Sequence, residues 1–102
     1  MILEQAVLDV IPGKQQAFEQ AFQQAQKIIS ALPGYICHEL HKCIETDNRY
    51  LLLVQWQTLE DHSIGFRQSS DYKKWKALLH YFYQPFPVVE HYQSLIPFRI
   101  KK

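Results

Sequence analysis

The 102-residue sequence predicts an α+β fold of the ferredoxin-like kind, β-α-β-β-α-β, with both helices on one face of an antiparallel sheet. Three observations predict it. Two segments carry apolar stripes at helical spacing, and four carry the alternation or apolar density of strands. The breaks between them hold turn chemistry at the places such a chain needs it.

Taken in order, "ILEQAVLDVI" alternates loosely and is rich in Ile, Leu and Val, so it reads as a strand that Pro12-Gly13 ends. In "KQQAFEQAFQQAQKIISAL", Phe18, Ala21, Phe22, Ala25, Ile28, Ile29 and Leu32 recur at three- and four-residue steps along one helix face. Pro33-Gly34 stops that helix, because proline cannot continue it and glycine accepts a left-handed turn. "YICHELHKCIE" is the second strand. Simple alternation puts Ile36, His38, Leu40, Lys42 and Ile44 on one face, and Tyr35, Cys37, Glu39, His41 and Cys43 on the other. "TDNR" supplies a tight turn. "YLLLVQWQ" is apolar on both faces near its start and so reads as a central strand.

Thr58 and Asp61 form a capping pattern. The short helix that follows places Leu59, His62, Ser63 and Phe66 on one face. Ser69 or Ser70 caps a second helix, with Asp71 in its favoured first turn. Tyr72, Trp75, Leu78, Leu79 and Phe82 form its stripe, with His80 opposite Trp75 and largely exposed unless the "HYFYQPF" end folds over it. "YQPFP" breaks it, and "VVEHYQSLI" is the last strand.

Composition narrows the function classes. Length fits a single domain spanning residues 1–102. Net charge is +1, with 47% hydrophobic and 21% charged residues, which gives no field to hold nucleic acid or an anionic membrane. The longest apolar run, Tyr50 to Val54, is too short to span a bilayer. The start, "MILEQAVLDV", lacks a basic region and carries Glu4 and Asp9, so a cytoplasmic protein is expected. Cys37 and Cys43 on one straight strand would stand roughly 20 Å apart, whereas a disulfide needs Cα atoms within about 7 Å. No metal site is expected: Glu39, His41 and Cys43 share a strand face, but no second ligand cluster accompanies them. Only three glycines are present, so a phosphate-cradling loop is not expected.

One face of the sheet is covered by helices. The other remains apolar, because the third strand offers Leu51, Leu52, Leu53 and Val54 to both sides. An exposed apolar sheet face predicts association, and a two-fold homodimer stacking sheet on sheet would bury it.

In "VIPGKQQAFEQAF", "LPGY", "YLLLVQWQTLEDHSIGFRQSSDYKKW" and "PFPVVEHY", in that order, the chain resembles the antibiotic biosynthesis monooxygenase family of dimeric α/β barrels. The resemblance implies the fold and the dimer. It also implies a monooxygenase that oxidises an aromatic or quinol-type small molecule with oxygen and no metal or flavin cofactor. The alternative is a haem- or small-molecule-binding barrel, or a barrel without turnover. The haem-degrading branch uses an Asn on the first strand, then a Trp and an axial His on the later helix. Here the first strand has no Asn, Phe66 stands about where the Trp would be, and Lys76 where the His would be; His80 could act only from a shifted position.

His62 is the foremost candidate. It shares a face with Phe66, and an inward histidine can take a proton from a phenol and so make the electron-rich anion that oxygen attacks. The commoner case for such a residue is a buried histidine bonded to a backbone carbonyl. Arg67 could fix an oxyanion through its planar fork, or make a surface ion pair. His38 could line the same pocket from the second strand, or sit half in water at its edge. His91, mid-strand in "VVEHY", is a further substrate-binding candidate whose face alternation leaves open. Trp56, Phe66, Trp75, Phe82 and Tyr83 could wall a pocket for a flat substrate, with Trp56, Phe66 and Phe82 stacking on its rings, or be core, as is expected of Tyr72 and Trp75. A cavity of a few hundred Å³ between the sheet and "TLEDHSIGF" would suit such a substrate.

Overall fold

The computed structural model describes residues 1–101. Strand β1 (Ile2–Asp9) is followed by helix α1 (Gln15–Ile29), strands β2 (Tyr35–Lys42) and β3 (Arg49–Trp56), helix α2 (Ser70–Leu79) and strand β4 (Val89–Gln93). The sheet order is β2-β3-β1-β4 and every pairing is antiparallel. This is the ferredoxin-like arrangement, with β1 and β3 in the middle.

The core lies on one face of this sheet. Ala6, Leu8 and Val10 of the first strand and its extension face Phe18, Phe22 and Ala25 of α1, and Tyr50, Leu52, Val54 and Trp56 of β3 point the same way. Every second residue is therefore dry, as the strand period requires. Both helices pack on this side. The opposite face carries Leu3, Leu51 and Leu53, half-buried, with Val7 and Tyr92 exposed. No helix among the described residues is long and apolar enough to cross a membrane. Both cysteines are free thiols.

Three details depart from simple alternation and periodicity. First, a register shift between Tyr35 and Cys37 lets two β2 residues oppose one on β3. Tyr35 then stands opposite Trp56 and His38 opposite Val54, so both point to the helix side, while Ile36 is pushed outward and exposed. Second, the segment after Thr58 is a π-helical turn, Asp61–Phe66. Thr58 Oγ1 accepts from the Asp61 amide and the Asp61 carboxylate accepts from the Thr58 amide, so the capping pattern forms reciprocally. Only His62 and Phe66 turn inward; Leu59 and Ser63 are exposed. Gly34, at φ +82°, approaches this turn so closely that a Cβ would overlap the Asp61 carboxylate. Third, α2 ends at Leu79 and tightens into a 3₁₀ turn, His80–Phe82. The tighter winding rotates His80 away from the exposed position that helical spacing gives it. Its Nδ1 is buried.

Candidate active site

The site begins with a strand register. Antiparallel pairing sets Glu4 of β1 opposite both Val54 of β3 and His91 of β4. All three side chains therefore point to the helix side. Glu4 is 5% exposed, a carboxylate inside the dry face. The Trp56 indole N–H donates to Glu4 Oε1 at 2.9 Å, and His62 Nε2 lies 3.3 Å from that same oxygen. The other nitrogen of His62, Nδ1, is 2.7 Å from His91 Nε2. The His62 ring is 2% exposed and lies stacked with Trp56 and Phe66, with centroids 5.5 and 6.0 Å away.

Burial sets the charge state of this group. It pushes the His62 imidazole down to about 3, helped by the nearby Arg67 guanidinium and by His91. It pushes the Glu4 carboxyl up, against the opposing effects of the Trp56 hydrogen bond and Arg67. His91 and His80 are also lowered, first by burial; Arg67 adds to both, and Lys76 to His80. Near neutral pH, His62 is neutral and has a side-chain neighbour at each ring nitrogen. The expectation that it bonds backbone is thus corrected: its partners are His91 and Glu4.

A cavity of about 40 Å³ opens beside this group, lined by Glu4, His62, Phe66 and Arg67, and by Tyr72, Trp75, His80, Tyr83, Phe86 and Pro87 around it. It has room for a water molecule or two, far less than the few hundred Å³ a ring-sized substrate occupies. Gln84 is pinned by its amide to the Asp9 carbonyl and β4 resumes at Val89, so residues 85–88 form a strap. Phe86 on that strap is 62% exposed and lies edge-on to His80.

The sequence-predicted residues divide accordingly. His62, Phe66 and Arg67 line the cavity, and His91 reaches the group through His62. Trp56 lies beneath it, fully buried, as the donor to Glu4. Phe82 packs into the core against Phe18 and does not line the cavity. His38 is elsewhere, beside a separate open cleft of about 410 Å³ between α1 and β2. There it meets the Tyr35 hydroxyl and, at 3.0 Å, Gln26 Oε1. Sequence reasoning missed Glu4, gave Tyr72 to the core and His80 to the surface, but named Trp75 and Tyr83 as possible wall residues, and both line the cavity. For Glu4 a signal existed: a carboxylate in phase with Ala6, Leu8 and Val10. Among the described residues no cluster of His, Cys, Asp and Glu is arranged to hold a metal ion.

Fold and site together define a ferredoxin-like α+β protein with a buried carboxylate–histidine group under an aromatic-walled cavity. Residues 1–78 match the model of the antibiotic biosynthesis monooxygenase family, and the chain belongs to that family. The uncharacterised protein YczJ of Bacillus subtilis strain 168 is 58% identical over 95 residues, spanning 93% of this chain and all of that protein. A crystal structure named for the same family, from Bordetella bronchiseptica, superposes with a TM-score of 0.89 at 35% identity, covering 93% of this chain and 97% of that one. SnoaB of Streptomyces nogalater, a cofactor-independent oxygenase, shares the fold, with a TM-score of 0.82 at 14% identity over 94% of both chains.

Proposed function

We propose that the protein is a cofactor-independent monooxygenase acting on an aromatic or quinol-type small molecule. The observation that carries this reading is the Glu4–His62 pair at the floor of an aromatic-walled cavity with a guanidinium beside it. Family membership and the likeness in fold to SnoaB, a cofactor-independent oxygenase, support it. Glu4 and His62 together withdraw a proton from the substrate, the Arg67 guanidinium balances the resulting anion, and Phe66 with its aromatic neighbours holds the ring. The anion itself supplies electrons to oxygen; one oxygen atom enters the substrate and the other leaves as water. Admission of a ring requires the Phe86–Pro87 strap to swing outward.

The active form in this reading is a homodimer joined through the outer sheet faces, where Leu3, Leu51 and Leu53 lie half-exposed. The bare tail side chains Leu95, Ile96, Phe98 and Ile100 add apolar surface. Sedimentation of the purified chain tests this, with a Leu53→Glu variant expected to run as a monomer.

Oxygen uptake with a panel of anthrones, naphthols and hydroquinones, in the presence of a chelator, tests the activity. One oxygen consumed per product is expected, with a loss of at least about tenfold in His62→Ala while the fold persists. A second reading, a barrel without turnover, is favoured by the 40 Å³ cavity, which has room for only a water molecule or two. Absence of both uptake and binding with the same panel would establish it; binding without uptake would instead mark a small-molecule binder.

A further inference from the structure

We propose that Glu4, His62 and His91 form a proton wire that connects the buried end of the cavity to bulk water. Three separate elements build it: β1 supplies the carboxylate, the π-helical turn the central imidazole, and β4 the outer one. The contacts are consecutive. Glu4 Oε1 is 3.3 Å from His62 Nε2, and His62 Nδ1 is 2.7 Å from His91 Nε2. The series starts at a cavity-lining side chain and ends on one that is exposed.

The partners of His62 sit on opposite ring nitrogens. Because both partners, a carboxyl and a second imidazole, can themselves carry a proton, the arrangement suits a relay, since imidazole can accept at one nitrogen while donating from the other. A proton leaves Glu4 Oε1 for His62 Nε2 as the proton on Nδ1 passes to His91 Nε2; His91 then releases the proton on its own Nδ1 to water. Glu4 ends as a carboxylate, and His62 begins and ends neutral. This matters because burial, the nearby Arg67 and His91 all disfavour a cation there. The carboxylate so formed is held by the Trp56 N–H on Oε1 and faces the cavity as a base. Without the wire, the carboxyl would exchange its proton only through the cavity mouth, which a bound substrate closes. The purpose of the wire rests on the oxygenase reading; its existence does not.

The test therefore uses no substrate. In ¹⁵N-labelled protein, exchange of the His62 ring N–H with water is measured by saturation transfer in the wild type and in His91→Gln. Glutamine keeps a polar partner at this exposed position but cannot pass a proton by tautomer shift. Exchange is expected to slow by about tenfold or more in the variant and to recover partly with added imidazole. Equal rates in the two proteins would overturn the wire. So would the absence, in the wild type, of a scalar coupling between His62 ¹⁵Nδ1 and His91 ¹⁵Nε2, a readout that needs no variant. A protein that exchanges as expected yet consumes no oxygen would defeat the oxygenase reading and leave the wire standing.

Discussion

His62 and His38 lie over the same sheet face, toward opposite edges, and their surroundings make them different chemical objects. Each has a partner at both ring nitrogens. Those of His38 are a tyrosine hydroxyl and a glutamine amide, next to a cleft open to water. Those of His62 are a buried carboxylate and a second imidazole, with stacked rings on its faces. The amide on His38 cannot take or give a proton near neutral pH, and burial pushes the Tyr35 hydroxyl further up. Having a polar neighbour at each ring nitrogen thus does not mark a histidine as structural. What distinguishes the two is whether the partners can themselves titrate, and whether water competes.

The largest effect that sharpens this contrast comes from Trp56→Ala. It removes a fully buried indole that stacks on His62 and donates to Glu4. A loss of about 3–5 kcal/mol in urea unfolding is expected. Glu4→Leu comes next. It leaves the Trp56 N–H and His62 Nε2 without their oxygen, at about 1–3 kcal/mol for each orphaned group; Glu4→Gln, which keeps an oxygen there, should cost less.

The third test is pH. The unfolded chain protonates its histidines near 6.5, but folded His62 resists until about pH 3. The unfolded state therefore holds more protons in that window, and stability falls as pH drops through it, by up to about 1.4 kcal/mol per pH unit. Glu4 works against this. Its raised value means the folded state holds the extra proton, so its contribution is lost as pH rises through the folded value. His62→Gln should remove the first dependence, so its stability gap from the wild type narrows as pH falls from 6.5 toward 3. Denaturant titrations at several pH values measure it, and a constant gap would break the contrast. The smallest effect belongs to His38→Ala: about 1 kcal/mol or less, because water in the cleft replaces its partners, with oxygen uptake unchanged. A large loss of uptake would show that the two histidines are not so different.

Much of this was legible in the residues. The stripe Phe18–Phe22–Ala25–Ile29 fixed the buried face of α1, the cap residues Thr58 and Ser69 act where their spacing put them, and the pair His62 and Phe66 turned inward as expected. These are local properties: hydrophobic period, turn chemistry and capping depend on neighbours within a few residues. Where local geometry broke its period, the reading failed. The bulge after Tyr35 brought two β2 residues to one side, and the 3₁₀ turn drew His80 inward.

By itself, then, the sequence determined the element order, the helix-covered sheet and the presence of histidines on its dry side. Only the tertiary structure decided which of them meet. Glu4, His62 and His91 come from β1, a turn and β4, and no spacing along the chain relates them. Their meeting depends on the β1–β4 register, where a slip of one residue would send His91 to the other face. The charge state was equally out of reach, because the burial that neutralises His62 is supplied by Trp56 and Phe66 only once the sheet and turn have closed on it.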